Sequence, residues 1–280
     1  MTSWRELLSG AAEVLGSKVD ARRLVEEAAG YDGAEMTLHL DEEATARTGA
    51  YFTRMLERRA SGVPLQYVLG RWGFRTLDLM LDERVLIPRP ETEQVVEWAI
   101  EEGRALGRKR VRAVDLGTGS GAIAFSLAVE LGAEVWATDV SADAIDVARA
   151  NLAGIGMFAA TRVRLVEGWW WAALPADLKS HVDLVVTNPP YVADGDPLPA
   201  EVADHEPALA LRAGPDGMDA ITEIVTRAGE WLAPGGVLVT ELAPHQADRA
   251  RELATGRGAA RAEIRHDLSG RPRALVAAWR

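Results

Sequence analysis

The apolar positions change period along this chain. Over the first sixty residues they recur at three and four. Leu7, Leu8, Ala11, Ala12, Val14 and Leu15 form one stripe, and Ala21, Leu24, Val25 and Ala28 a second. Such spacing predicts amphipathic helices, the second starting at Asp20 as N-cap and ending near Gly30. A third runs through EATARTGAYFTRMLERRASG, with Tyr51, Phe52, Met55 and Leu56 inward and Gly62 as its stop. From Pro64 the period shortens. LQYVLGRWGF and TLDLMLDERVLI carry β-branched, aromatic and alternating residues, with Leu77, Leu79 and Leu81 on one side, which predicts a β-hairpin. IPRPETEQVVEWAIEEG then opens a helix; Pro90 suits its first turn, and Glu91 and Glu93 suit the positive end of its dipole.

Beyond residue 110 strands and helices alternate. Strands are expected at 111–116, 135–139, 162–166, 182–187 and 236–242, with helices at 122–131, 142–152 and 217–232. This rhythm predicts the α/β class, a Rossmann-like doubly wound and mostly parallel sheet. The tail AEIRHDLSGRPRALVAAW adds an antiparallel hairpin around Ser269-Gly270. The expected organisation is a helical bundle over 1–63 suited to gripping a partner, a hairpin connector over 64–88, and an α/β domain over 89–280.

Composition narrows the class. The 48% apolar and 26% charged residues are those of a soluble globular protein. No run of eighteen apolar residues occurs and the first residues lack a secretory pattern, so neither a membrane span nor a signal segment is expected. Cysteine is absent, which excludes disulfides and thiolate metal sites and fits a cytoplasmic setting. His39, His181, His205, His245 and His266 have no ligand-like grouping, so no metal is expected. The net charge is −11. Residues 1–80 hold ten basic and twelve acidic side chains, and the rest of the chain 21 and 30. That excess argues against nucleic acid as a partner, since phosphates demand a basic face.

Two stretches carry chemistry. In AVDLGTGSGAIAFSLA a strand passes into a helix through Gly117, Gly119 and Gly121, with Thr118 and Ser120 between them. Glycines there permit positive φ and let a ligand lie on bare backbone. Gly117-x-Gly119-x-x-Ala122, followed by Asp139 at the end of the next strand, satisfies the loose dinucleotide fingerprint, so NAD is one candidate. Asp115, two residues before the first glycine, would repel a pyrophosphate. It would suit the ammonium and sulfonium of S-adenosylmethionine, whose ribose diol Asp139 could hold; alternatively, Asp115 caps the helix.

The second stretch is TNPPYVAD, which leaves the strand VDLVV through Asn188, Pro189, Pro190 and Tyr191. Asn-Pro alone is ordinary turn punctuation. At the carboxyl end of a parallel strand, however, it flanks the ligand crevice. Two prolines stiffen the loop and remove donors, leaving carbonyl acceptors. Asn188 adds a side-chain oxygen and Tyr191 an aromatic wall. Such a notch can receive a planar –NH2 group. The Asn188 oxygen and the Pro189 carbonyl would hold its two hydrogens, favouring the pyramidal nitrogen of a methyl-transfer transition state.

The pairing of DLGTGSG with NPPY resembles class I S-adenosylmethionine-dependent methyltransferases that modify planar nitrogens. GVPLQYVLGRWGF, LIPRPETE, EPALALRAGPDGMDAI, GGVLVTELAPHQ and DLSGRPRAL extend the resemblance, to the HemK-type enzymes that methylate the N5 of a glutamine in peptide chain release factors. It covers nearly the whole chain. It implies S-adenosylmethionine as cofactor, held by Gly117 to Gly121, Asp139 and Asn188, and a glutamine pocket of Asn188, Pro189, Pro190 and Tyr191. It also implies an aromatic or acidic residue near the adenine within EGWWWAALP, where Trp170 is the choice from its spacing to Leu174. The amino-terminal bundle would position the release factor, whose target is the glutamine of a Gly-Gly-Gln loop. Glu206-Pro207 reads as a shaper of the substrate loop or a local cap, and Glu241 as a strand end. Three alternatives stay open: a ribosomal-protein glutamine, an exocyclic amine of a nucleic-acid base, and, from a different class, an NAD-linked oxidoreductase.

Overall fold

The computed structural model describes residues 2–280, which fall into two compact units. The first spans residues 2–72 and regains the later segment Pro199–His205. It is built of α1 (Trp4–Leu15), α2 (Lys18–Ala29), α3 (Gly33–Leu38), α4 (Ala46–Ala60) and α5 (Leu65–Leu69). Their apolar stripes meet in a core of Trp4, Leu24, Val25, Met36, Phe52, Met55 and Leu65, whereas Val14, expected in the first stripe, is exposed. The cap of α2 is Ser17, not the expected Asp20. The Ser17 hydroxyl accepts the Asp20 N–H at 3.2 Å, and Asp20 stands in the first turn, where its carboxylate takes the Arg59 guanidinium at 2.7 Å. The segment after Pro64 also departs from expectation. Leu65–Leu69 is helical, with Leu65, Tyr67 and Val68 buried and Gly70 ending the turn at φ 74°. Leu65 and Val68 share a helical face three residues apart, and true alternation begins only at residue 71. The short α3 was not foreseen, because six residues with a single buried side chain, Met36, carry no readable period.

The strands β1 (Arg71–Phe74) and β2 (Leu77–Met80) form the hairpin, smaller than the expected connector. The second unit comprises residues 73–198 and 206–280. Along the chain come α6 (Pro90–Ala105), β3 (Arg112–Leu116), α7 (Ala122–Ser126), β4 (Glu134–Asp139), α8 (Ala142–Leu152), α9 (Met157–Ala160), β5 (Val163–Glu167) and β6 (Val182–Thr187). Then follow α10 (Ala200–His205), which belongs to the first unit, α11 (Asp219–Trp231), β7 (Leu232–Glu241), α12 (Ala247–Gly256), β8 (Ala259–His266) and β9 (Pro272–Trp279). The helix after β3 loosens into a π-helical turn over Leu127–Leu131.

The sheet order is β5-β4-β3-β6-β7-β9-β8; β3 to β7 run parallel, and β9 pairs antiparallel with both β7 and β8. All six residues of β6 are buried, as a strand covered on both faces requires. One core joins Val114, Val185, Leu238 and Leu275 of the sheet to Ile221, Ile224 and Trp231 of α11. Because β3 sits between β4 and β6, the loops leaving those three strands open at one crevice, where the strand order reverses. Among the described residues no helix is long and apolar enough to cross a membrane, and no group of three His, Cys, Asp or Glu converges as a metal site.

Candidate active site

The glycine loop is folded back onto the next strand. The N–H groups of Gly117 and Thr118 both donate to the Thr138 carbonyl at 2.8 Å, and the Gly121 N–H donates to the Thr118 carbonyl at 2.9 Å. Gly117 and Gly121 take φ of 76° and 90°. A Cβ at Gly121 would stand 2.1 Å from the Phe125 ring, and one at Gly117 would stand 3.1 Å from the Trp170 ring, so both positions need bare backbone. The Asp139 carboxylate braces the turn: one oxygen accepts the Gly119 N–H and the other the Ser141 N–H, each at 2.9 Å. Burial raises its pKa, opposed by those backbone donors.

Asp115 lies beneath this loop, wholly buried. Its Oδ2 accepts the Thr118 hydroxyl at 2.6 Å and the Ala124 N–H at 3.1 Å, so one oxygen does cap the helix. The other, Oδ1, is buried with no hydrogen-bond partner. Desolvation pushes the carboxyl up to about 7, against the two donors and aided by the charge of Asp139.

A cleft of about 310 Å³ opens above the loop. Gly117, Gly119, Asp139, Trp170, Asn188 and Pro190 line it, together with Trp169, Leu209 and Glu223. Asp115, Thr118, Ser120, Gly121, Pro189 and Tyr191 stand behind that lining rather than in it. The three tryptophans divide their work. Trp171 is fully buried and stacks on Trp231 at 5.7 Å. Trp170 turns its ring across Gly117 from a left-handed backbone of φ 41°, a conformation an aromatic residue rarely holds outside a constrained site. Trp169 meets Trp170 edge-on at 5.7 Å and donates its indole N–H to Glu223 at 3.2 Å.

Opposite the glycines, β6 delivers Asn188. Thr187 just before it donates its hydroxyl to the Leu116 carbonyl at 2.6 Å, joining the ends of β6 and β3. The loop beyond is clamped. The Gln246 side chain donates to the Tyr191 carbonyl at 2.9 Å and to that of Gly217 at 3.0 Å, and Val192 pairs its backbone with Leu211 and Ala213. The Asn188 Nδ2 donates to the Thr92 hydroxyl at 3.2 Å, Thr92 donates to Glu241 Oε2 at 2.7 Å, and the Tyr191 hydroxyl donates to Glu241 Oε1 at 3.3 Å. Burial pushes the Glu241 carboxyl up to about 7 and, with the Glu241 charge, raises the Tyr191 phenol. Tyr191 thus closes a polar network behind the loop as well as packing against the core. Glu206 is buried and accepts from Arg89 and, at 3.4 Å, from the Ile87 N–H, tying the start of the 206–214 segment to the strand-to-α6 connection.

The donor set fits S-adenosylmethionine: an aromatic wall for a purine, a half-buried carboxylate for a ribose diol, bare backbone, and an orphaned buried carboxylate oxygen that a nearby cation would relieve. A pyrophosphate would face that same buried carboxylate, which removes the support for NAD.

Comparison with known proteins identifies the family of the chain. The family model for the PrmC N-terminal domain matches residues 2–70, and that for the Methyltransferase small domain matches residues 104–203. A release factor glutamine methyltransferase of Xylella fastidiosa is 40% identical over 272 residues, covering 96% of this chain and 96% of the relative. The protein of the same description from Deinococcus radiodurans is 40% identical over 278 residues with the same coverage. Among solved structures, a methyltransferase from Pyrococcus furiosus shares the fold with a TM-score of 0.53 at 15% identity, over 84% of this chain and 98% of the other. With relatives this similar along almost its whole length, the chain belongs to the release factor glutamine methyltransferase family.

Proposed function

We infer that this chain transfers a methyl group from S-adenosylmethionine to the side-chain amide N5 of the glutamine in the Gly-Gly-Gln loop of a peptide chain release factor. The observation that carries this reading is Asn188. It stands on a stiff Pro-Pro loop across one cleft from Gly117, Gly119 and Asp139, with its Nδ2 tied back to Thr92. Neither Asn188 Oδ1 nor the Pro189 carbonyl is engaged by a donor among the described residues.

When bound, S-adenosylmethionine supplies an electrophilic methyl on a sulfonium. Gly117 and Gly119 would accommodate it against backbone, Asp139 would accept from its ribose, and Trp170 would face its purine. The chain's own task is the nitrogen. An amide nitrogen is a poor nucleophile because its lone pair is delocalised. Asn188 Oδ1, in the cleft lining, and the carbonyl of Pro189, whose ring is buried just behind it, would accept its two hydrogens, hold the nitrogen in line and strengthen their grip as positive charge develops there. The rigid proline backbone keeps these acceptors oriented before the reaction, so little reorganisation is left to the transition state. The residues 2–72 unit is read as the holder of the release factor, and the absence of cysteine together with a translation substrate supports a cytoplasmic location.

Incubation with release factor and labelled S-adenosylmethionine, followed by mass mapping, tests the reading. One methyl group is expected on the Gly-Gly-Gln glutamine. Asn188→Ala should lower turnover by about 10²–10³ with cofactor binding partly retained. Label on another residue, or on RNA added alongside, would sink the assignment.

A further inference from the structure

The function of Asn188 depends on which end of its amide faces the cleft. The two ends have nearly the same shape and opposite chemistry: Oδ1 accepts, whereas Nδ2 would set donors against the hydrogens of the target amide. Thr92 Oγ1 lies 3.2 Å from Nδ2. A hydroxyl by itself settles nothing, because it could accept from Nδ2 or donate to a flipped Oδ1. Glu241, once ionised above about pH 7, removes the choice. Its carboxylate accepts the single Thr92 proton at 2.7 Å, which leaves Thr92 only lone pairs to offer Asn188. The other Glu241 oxygen is occupied by the Tyr191 hydroxyl at 3.3 Å, so the carboxylate is met by donors on both sides. Thr92 and Glu241 are both buried, and an apolar side chain would fill their space without the cost of a desolvated charge.

We propose that Thr92 and Glu241 are positioning residues that fix the amide of Asn188 with Oδ1 toward the cleft, through the chain Tyr191 hydroxyl, Glu241 carboxylate, Thr92 hydroxyl, Asn188 Nδ2. The proposal rests on the glutamine-methylating reading above. It assigns a role to two side chains that come from the first turn of α6 and the last residue of β7. Neither touches the reacting atoms. Their effect belongs in kcat, because an inverted amide spoils alignment without removing the cleft.

The full-length chain carrying Thr92→Ser, Thr92→Val, Glu241→Gln or Thr92→Val with Glu241→Gln tests this. Thr92→Val keeps the size and loses the hydroxyl, whereas Thr92→Ser keeps the hydroxyl and loses the methyl. Thr92→Val should lower kcat by about 10- to 100-fold, with KM for release factor and Kd for S-adenosylmethionine within about twofold of wild type. Thr92→Ser should stay within about threefold of wild type. The double variant should be little worse than the poorer single one, as expected for parts of one unit. A second readout needs no substrate. The Asn188 side-chain amide pair in ¹⁵N–¹H spectra, identified by its loss in Asn188→Asp, should shift in Thr92→Val and Glu241→Gln but not in Thr92→Ser. The proposal is overturned if Thr92→Ser is as damaged as Thr92→Val, if folded Thr92→Val keeps wild-type kcat, or if the Asn188 resonances do not move. Should Thr92→Val fail to fold, Glu241→Gln and Thr92→Ser decide by the same two readouts. A wild-type chain that leaves the glutamine unmethylated would sink the functional reading instead, while the amide resonances would still decide this one.

Discussion

Asp115 carries a tension that a ligand can relieve. Fully buried, with Oδ1 unpartnered, its carboxyl moves from an ordinary 3.8 up to about 7. Between roughly pH 4 and 7 the folded apo chain therefore keeps a proton that the unfolded chain has released. Folding stability at this residue falls as pH rises through that window and levels off above it. A bound cation favours the ionised form, so binding S-adenosylmethionine near pH 6 should expel a proton, and affinity should rise from pH 5.5 to 7.5. Calorimetry at pH 6 in buffers of different ionisation enthalpy would reveal the proton, and Asp115→Asn should abolish it. A binding enthalpy independent of buffer in the wild type would remove the electrostatic argument for this residue. Asp115, the glycines and Asn188 were legible in the sequence because each lies in a contiguous motif at a strand end. Thr92 and Glu241 were not. They are 149 residues apart, and their relation exists only once α6 and β7 are packed together. Glu241 did leave a trace, as a carboxylate closing the apolar run GGVLVTEL at the crevice end of its strand.

At the level of elements, the site depends on how β3 and β6 end. Their backbone ladder pairs Ala113 with Leu184, Val114 with Val185 and Asp115 with Val186. Beyond it the Thr187 hydroxyl takes over the pairing with Leu116, one residue from both the first glycine and Asn188. Thr187→Val keeps the shape and leaves the Leu116 carbonyl without that donor in a buried setting. It should cost about 1–2 kcal/mol of stability and weaken S-adenosylmethionine binding severalfold, since the loop on one side and Asn188 on the other lose their common anchor. Denaturant titration and cofactor titration check both, and wild-type values in each would assign the hydroxyl no structural role. The strands themselves were predictable from period alone. Fully buried β6 shows an apolar run broken only by Asp183 before it ends at Thr187, and β4 to α8 shows the switch to helical spacing. The misread elements were short, and the ten-residue α12 was not anticipated at all. Five residues of α5 fit either period, and Ser17 rather than Asp20 caps α2 because both residue types suit the position and only geometry separates them.

On the scale of the whole molecule, the chain leaves the sheet-bearing unit at Leu198, spends Pro199–His205 in the helical unit and returns at Glu206. The returning stretch begins with the buried Glu206 and continues to Leu209, Ala210 and Arg212 in the cleft lining, while the departing stretch is the exit of the Asn-Pro-Pro-Tyr loop. This excursion is covalently continuous with the Asn-Pro-Pro-Tyr loop before it and the 206–212 stretch after it. Within the helical unit it is held by Arg59, whose guanidinium pairs with Asp20 at 2.7 Å and with Glu201 at 3.0 Å, and donates to the Val63 carbonyl at 3.0 Å. No period in the sequence announces such a link, because Arg59 and Glu201 lie 142 residues apart, on α4 and on the short α10. If the helical unit holds the release factor, loosening the excursion should disturb delivery of the glutamine rather than the methyl donor. Arg59→Ala should cost about 1 kcal/mol of stability and speed amide exchange over residues 199–205. It should raise KM for intact release factor several-fold while leaving the S-adenosylmethionine Kd and the rate on a short Gly-Gly-Gln peptide unchanged. Equal losses on peptide and protein would place the effect in the catalytic cleft, and unchanged kinetics with faster exchange would deny the excursion any part in substrate delivery.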